Sequence, residues 1–169
     1  MKKKNKYILK ILDTSDVNQS YIDWYNNKDV LRYSDNQYRR FSIDNQKKYV
    51  INCLNDKNLD LYGIFENTKH VGNIFICGLS SFHKCAEITY IIGSPDNWNK
   101  GIATFAISEI IKISKSIYKL NKLYAGVAEN NKASIKVLEK NGFNLEGTRL
   151  QHLFYRDKFH NQLDYGLIL

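Results

Sequence analysis

The sequence is poor in the two residue types that most constrain a chain, with one proline and three cysteines among 169 residues. A single proline beside nine glycines excludes collagen-like and linker-rich proteins. The cysteines Cys53, Cys77 and Cys85 are odd in number, form no C-x-x-C pair and have no histidines at zinc-site spacing. We therefore expect reduced cysteines and no bound metal.

Long apolar runs are also absent. No stretch approaches the roughly 18 uninterrupted apolar residues of a membrane-spanning helix. The basic run Lys2–Lys4 is not followed by the apolar segment of a signal peptide. The chain has an ordinary globular composition, and its length suits one domain with a substantial core. We expect a single domain over residues 1–169, located in the cytoplasm.

The charge is unbalanced, with a formal net value of +8. Such a surface attracts phosphates, nucleic acids and anionic membranes. Few of the basic residues are arginines, the type best suited to forked phosphate recognition, although Arg32, Arg39 and Arg40 lie close together in sequence. Neither a basic recognition helix nor an RNP-like aromatic strand is present. We expect no nucleic-acid partner and no membrane partner.

The apolar pattern changes period several times, which predicts a mixed α/β fold. Strands are predicted at 7–12, at DLYGIFE and HVGNIFICGL around a turn at 67–69, at CAEITYII, at KLYAGV, and at about 144–155 and 163–169. Helices are predicted at 20–26, from 43 to about 55, along an apolar face from Ala106 to Leu120, and at 132–141. The resulting order is β-α-α-β-β-β-α-β-α-β-β.

Cap residues support these helices. Asp16 or Asn18 is a candidate N-cap for the first helix, and Ser42 for the second. Gly142 is placed to end the last helix in a left-handed conformation, with Phe143 supplying a hydrophobic contact.

One connection, SPDNWNKGIAT over residues 94–104, joins a strand to a helix through Gly101. The first amides of a helix have no partner within it and carry partial positive charge. A loop that turns further amides inward makes an anion cradle, here suited to a pyrophosphate. Gly101 permits an unusual φ and close approach, and Ala103 keeps the wall low. A simple turn explains the same glycine equally well.

A second motif, NKASIKVLEKNGF over residues 131–143, follows WNKGIAT. The two together resemble the GNAT acetyltransferase superfamily, in its branch of ribosomal-protein, spermidine and amino-sugar acetyltransferases. The resemblance implies an α/β (α+β) fold. It would be a single mixed, mostly antiparallel twisted sheet of about seven strands with about four helices, splayed between strands 4 and 5.

The resemblance also implies that acetyl-CoA lies in this gap as cosubstrate. Main-chain groups of Ile91, Ile92 and Gly93 would pair with its pantetheine arm, and Asn131 and Ser134 would lie near the pantetheine and the thiol. The pyrophosphate would be held by amides of Trp98, Asn99, Lys100, Gly101, Ile102, Ala103 and Thr104.

Two positions depart from the family pattern. Trp98 stands where the phosphate loop often has Arg or Gln. Leu138 stands where many members carry the tyrosine that acts as general acid on the departing thiolate. The acid here is then Ser134, a water molecule, or nothing specific.

Acetyl transfer also needs a neutral amine and a stabilised oxyanion. Our first choice of base is Glu87. A solvent-exposed carboxylate on a strand, without a catalytic role, is an equally good interpretation of this residue. His83, His152 and His160 are further candidates, each more readily explained as structural. A main-chain amide near Ile91 or Ile92 is the expected oxyanion donor.

The acceptor wall is expected in segment 21–42, where aromatic residues and arginines alternate. Candidate contacts are Trp24, Tyr25, Arg39, Arg40 and, from the fourth strand, Tyr90; Tyr155 is a weaker one. The basic cluster favours a nucleotide-linked amino sugar as acceptor, with protein N-termini and polyamines as rivals. A non-catalytic acyl-CoA sensor is the alternative of another class. We expect a monomer or a homodimer.

Overall fold

The computed structural model describes residues 6–169, so Lys2–Lys4 lies outside the described residues. Its regular elements follow the predicted order: β1 (Tyr7–Ile11), α1 (Gln19–Tyr25), α2 (Ile43–Asn55), β2 (Leu59–Glu66), β3 (Lys69–Cys77), β4 (Cys85–Ile92), α3 (Ile102–Ser116), β5 (Lys122–Ala128), α4 (Lys132–Lys140), β6 (Asn144–Tyr155) and β7 (Lys158–Ile168). Short 3-10 turns occur at Thr14–Asp16, Asp35–Tyr38 and Pro95–Asn97.

The seven strands form one sheet in the order β1-β2-β3-β4-β5-β7-β6. Neighbouring strands are antiparallel except for β4 and β5, which are parallel. Helices α1 and α2 cover one face of the sheet, over a core that includes Tyr21, Trp24 and Val50. The other face packs on α3 and α4 through a core that includes Ile107 and Leu138. The predicted mixed sheet is confirmed.

The helix ends follow the predicted caps. Asn18, rather than Asp16, caps α1, because its side chain accepts the Tyr21 N–H at 3.1 Å. Ser42 caps α2. Gly142 takes a left-handed φ of +88° after α4. There the Phe143 N–H returns to the Leu138 carbonyl at 3.1 Å, which closes a Schellman motif.

Two predicted boundaries are wrong. Helix α3 ends at Ser116 instead of continuing to Leu120, and Ile117 is 67% exposed. Lys119 turns left-handed, so Leu120 is buried from a turn and not from a helix face. Strand β7 begins at Lys158, because Arg156 and Asp157 both adopt positive φ and form a two-residue hairpin turn that extends the pairing.

The sheet opens between β4 and β5. Their pairing joins only Cys85–Glu87 with Lys122–Tyr124. Beyond it, Ile88–Ile92 continues along β3, while Ala125–Ala128 continues along β7. The predicted splay between strands 4 and 5 is therefore present, and it creates a cleft in the middle of the molecule.

Within residues 6–169, each helix is too short or too polar to cross a membrane. The three cysteines are free. The described part of the chain brings together no group of three or more His, Cys, Asp or Glu side chains that could hold a metal ion.

Candidate active site

The opening between β4 and β5 is a cleft of about 240 Å³ that passes through the sheet. On the side of α1 and α2 it is lined by Tyr25, Tyr33 and Asn36, and on the side of α4 by Asn131, Ser134 and Leu138. Its walls are Ile88–Ile91 of β4 and Ala125–Ala128 of β5. A molecule bound here can therefore be approached from both faces of the sheet.

The β4 edge of the cleft presents main-chain groups in alternation. The Gly93 N–H donates to the Val71 carbonyl at 2.9 Å, and alternate residues of an antiparallel pair bond in the same direction. The main-chain groups of Ile91 and Gly93 therefore face β3, whereas those of Tyr90 and Ile92 face the opening. Of the three residues predicted to pair with pantetheine, only Ile92 directs its main chain away from β3, towards the side of β5, and only Ile91 lines the cleft itself.

Gly93 has a different role from the predicted one. A Cβ at this position would lie 2.0 Å from the indole of Trp24. Glycine is thus required because Trp24 packs flat against the end of β4.

The loop before α3 exposes a set of amides. Asn99 and Gly101 have left-handed φ values of 60° and 78°, an alternation that turns successive N–H groups towards one side. Gly101 is the N-cap of α3 and makes no side-chain cap bond. Among residues 6–169, no protein acceptor bonds the N–H groups of Asn99–Gly101, and those of Ile102–Thr104 belong to the first helical turn.

Trp98 is an exception to the predicted cradle. Its N–H donates to the Pro95 carbonyl at 3.0 Å, so the free amides begin at Asn99. Its indole Nε1 donates to the Ile92 carbonyl at 3.3 Å, and the Arg32 guanidinium lies 5.2 Å from the indole centroid. Trp98 therefore ties the loop to the end of β4.

Two predicted residues of α4 meet the cleft. Asn131 caps the helix, and its Oδ1 accepts the Ser134 N–H at 3.3 Å. The Ser134 Oγ lies 2.5 Å from the Tyr90 hydroxyl, across from β4. Burial raises the pKa of Tyr90 to about 12. Tyr90 thus lines the cleft, as predicted, on its α4 side, and its contact with the acceptor stays a prediction.

Glu87 lies beside the cleft without lining it. It is the last residue of β4 paired with β5, opposite Tyr124, two residues before the cleft residue Thr89. Burial raises its pKa, the nearby Arg149 lowers it and Asp164 raises it. Asp164 in turn accepts a 2.7 Å bond from the Nε of Arg149. The raised pKa of the Glu87 carboxylate is compatible with the predicted role as a base, which stays a prediction.

Only some of the residues predicted to contact the acceptor line the cleft. Tyr25 is buried and lines the cleft. Trp24 is 5% exposed and packs edge-on against His70, so it is a core residue. Arg39 and Arg40 are exposed and do not line the cleft. Trp24, Arg39 and Arg40 therefore do not line the cleft: Trp24 is packed between α1 and the sheet, and the two arginines lie at the surface.

The residues that do reach across from this segment were not predicted. The Tyr33 hydroxyl donates to the Asn130 carbonyl at 3.0 Å, and its ring meets Tyr155 edge-on with centroids 5.6 Å apart. Tyr155 itself stacks on His160 at 3.9 Å. The segment around Tyr33 has neither helix nor strand periodicity, so the sequence does not indicate which of its side chains face the cleft. His83, His152 and His160 do not line the cleft.

Comparison with known proteins identifies the family to which this fold and cleft correspond. A family model for the acetyltransferase (GNAT) domain matches residues 7–144. The uncharacterized N-acetyltransferase YoaA of Bacillus subtilis is 34% identical over 84 residues, which are 50% of this chain and 47% of that protein. The spermidine N(1)-acetyltransferase of Escherichia coli K12 is 25% identical over 150 residues, 82% of this chain and 73% of the relative.

Solved structures share the fold. The spermidine N-acetyltransferase from Vibrio cholerae, in complex with CoA and spermine, superposes with a TM-score of 0.85 at 20% identity, covering 96% of this chain and 95% of that chain. The ribosomal L7/L12 alpha-N-protein acetyltransferase RimL, in complex with CoA, gives a TM-score of 0.88 at 19% identity, covering 98% and 96%.

Proposed function

Because this chain belongs to the GNAT acetyltransferase family, we propose that it transfers the acetyl group of acetyl-CoA to a primary amine at the cleft between β4 and β5. The observation that carries this proposal is the parting of β4 from β5 after three paired residues, next to a loop of free amides. A thioester held by that loop has a path through the sheet to an amine on the other side.

On the donor side, the amides of Asn99–Thr104 hold the pyrophosphate. They form the N-terminus of a 15-residue helix, where anions are stabilised by unpaired N–H groups and by the helix dipole. The Ile92 carbonyl, with the main-chain groups of Tyr90, pairs with the pantetheine arm, which leaves the Ile92 N–H for the reacting carbonyl. Asn131 borders the arm from α4.

At the reacting carbonyl, the N–H of Ile92 stabilises the oxyanion that forms when the amine attacks. Removing one such donor costs on the order of 3 kcal/mol in other enzymes. An amine with a pKa of about 10 is mostly protonated at pH 7, so it must lose a proton before it attacks. Glu87 takes this proton through a water molecule, because the carboxylate stands next to the cleft and not inside it. Ser134 is the proposed acid.

The acceptor class changes with the structure. The preference for a nucleotide-linked amino sugar depended on Arg39 and Arg40, which lie away from the cleft. The charged groups beside the cleft include the carboxylates of Glu87 and Asp164, the latter paired with Arg149. Two carboxylates and one guanidinium leave a net negative charge beside the cleft, which suits an acceptor that carries a second positive charge. We therefore propose a polyamine, the acceptor named for the Escherichia coli relative.

A panel assay that follows release of free thiol from acetyl-CoA tests this function. We expect kcat/KM to be highest for polyamines, lower for amino-sugar nucleotides and lowest for peptides with free N-termini. The highest kcat/KM for an amino-sugar nucleotide or a peptide would overturn the polyamine assignment. CoA binding by calorimetry without thiol release for any amine would overturn catalysis and favour the acyl-CoA sensor.

A further inference from the structure

The α4 wall of the cleft lacks a hydroxyl at one position. Leu138 lines the cleft and is fully buried. Its aliphatic side chain cannot donate a proton to the thiolate that leaves when the thioester is cleaved. On this side of the cleft, the hydroxyls among the lining residues are those of Ser134 and Tyr90.

These two hydroxyls form one unit. Their oxygens are 2.5 Å apart, and the Tyr90 hydroxyl is also 3.4 Å from the Ser134 carbonyl. The pair carries two O–H protons, and the bond between the oxygens uses one of them. When Tyr90 donates to Ser134 Oγ, the Ser134 proton is free to point into the cleft. The capping bond from Asn131 holds the main chain of Ser134 in place meanwhile.

We propose that Tyr90 supplies, through Ser134, the proton that the departing CoA thiolate receives. Ser134 touches the sulfur, and Tyr90 is the positioning residue behind it. The inference rests on the proposed function and adds to it a source for the proton.

The step balances within the pair and the solvent. As the C–S bond of the tetrahedral intermediate breaks, its electron pair passes to sulfur, which takes the proton of Ser134 Oγ. Ser134 Oγ takes the proton of Tyr90, and the phenolate is reprotonated by water. The nitrogen, which lost one proton before it attacked, loses its second proton to water as the C–S bond breaks, so the products are the N-acetylated amine and free CoA.

The chemistry favours a relay over serine alone. A serine that lost its proton would leave an alkoxide, which is a much stronger base than a tyrosine phenolate. Desolvation raises the pKa of the half-buried Tyr90 to about 12, so its hydroxyl is protonated at neutral pH and can donate. Its ring is held by the core cluster shared with α3 and α4, which fixes the hydroxyl towards Ser134.

Tyr90→Phe tests the relay, because it removes one oxygen and keeps the ring. We expect kcat to fall about 100-fold, at the lower end of the usual contribution of general acid catalysis, because a thiolate leaves readily. KM for both substrates and the Kd of CoA from calorimetry should stay within twofold. Tyr62→Phe, which removes a hydroxyl bonded to Tyr118 away from the cleft, is the matched control and should keep full kcat.

Two further comparisons complete the test. In the Tyr90→Phe background, Leu138→Tyr returns a phenol to the cleft and should raise kcat at least tenfold. Ser134→Ala should lower kcat at least as far as Tyr90→Phe does, and adding Tyr90→Phe to Ser134→Ala should cause no further loss, because the two hydroxyls act in series. This double variant separates the relay from a loss of stability, because destabilisation would add to the effect of Ser134→Ala.

The relay is overturned by a Tyr90→Phe enzyme with kcat within twofold of wild type, by parallel losses in kcat and CoA affinity, by no gain from Leu138→Tyr, or by losses in Tyr90→Phe and Ser134→Ala that multiply in the double variant. Wild-type protein that releases no thiol with any amine would instead overturn the proposed function, and the relay with it.

Discussion

At the scale of single residues, the site depends on groups whose direction is decided by the strand pleat. Glu87, Thr89 and Ile91 point to one face of β4, while Ile88, Tyr90 and Ile92 point to the other, as the alternation in the sequence predicted. The pleat therefore places the carboxylate of Glu87 on the acceptor face and the hydroxyl of Tyr90 on the donor face. In the proposed mechanism, one strand thus separates proton removal from proton delivery.

The raised pKa of Glu87 predicts the acid limb of the pH profile. Glu87 must be ionised to accept a proton, and burial raises its pKa above the ordinary value of 4.5. We expect kcat/KM to increase with pH through this raised pKa. Glu87→Gln should lower kcat/KM about 100-fold and remove that limb.

The matched control is Glu109→Gln, which changes a carboxylate on α3 that is paired with Lys112 on the helix surface. Its profile should coincide with that of wild type. An unchanged acid limb in Glu87→Gln would show that another group is the base.

At the scale of elements, the sequence specified those features that local chemistry decides. Gly101 is left-handed at the start of α3 and Gly142 after α4, and both follow from the freedom of glycine at positive φ. The burial of Trp24 and the position at which α3 ends depend instead on tertiary packing against the sheet. No local pattern indicates that the Gly93 backbone leaves room for an indole, so the sequence places Trp24 in the acceptor wall, whereas the structure places it in the core.

The amide loop predicts different outcomes for two left-handed glycines. Gly101→Val forces a β-branched residue into positive φ, at a cost of about 1–2 kcal/mol, and turns the amides away from the pyrophosphate. No atom lies within 4 Å of a Cβ at this position, so the effect comes from the backbone and not from a clash. We expect CoA affinity to fall at least tenfold with a near-normal circular dichroism spectrum.

Gly142→Val applies the same strain at the end of α4, with φ at +88°. It should lower the melting temperature and leave the Kd of CoA within twofold in the folded protein. Equal Kd values for the Gly101 and Gly142 variants would mean that the loop does not hold the cofactor.

At the scale of the whole molecule, the sheet consists of two parts joined by three pairs of residues. Strands β1 to β4 form one part, and β5, β7 and β6 form the other. The helix α3 connects them along the chain. The sequence predicted this division through its resemblance to a family and not through periodicity, because strand pairing between distant segments leaves no local trace.

A ligand in the cleft should therefore stabilise both parts at once. We expect CoA to slow amide hydrogen exchange in Ile88–Ile92, in Ala125–Ala128 and in the loop at 99–104, and to raise the melting temperature as its concentration increases. Strand β1, at the far edge of the sheet, serves as the internal reference and should change little. Protection confined to the loop would contradict binding between the strands.

The amide loop has a consequence for how this chain diverges from its relatives. Apart from the glycine, the contacts proposed with a diphosphate come from the peptide backbone, so substitution of the side chains of Asn99, Lys100 or Ala103 would remove none of them. A change of acceptor would instead require substitutions among side chains of the opposite wall, such as Tyr33 and Asn36. In the proposed mechanism the two substrates can therefore be altered independently.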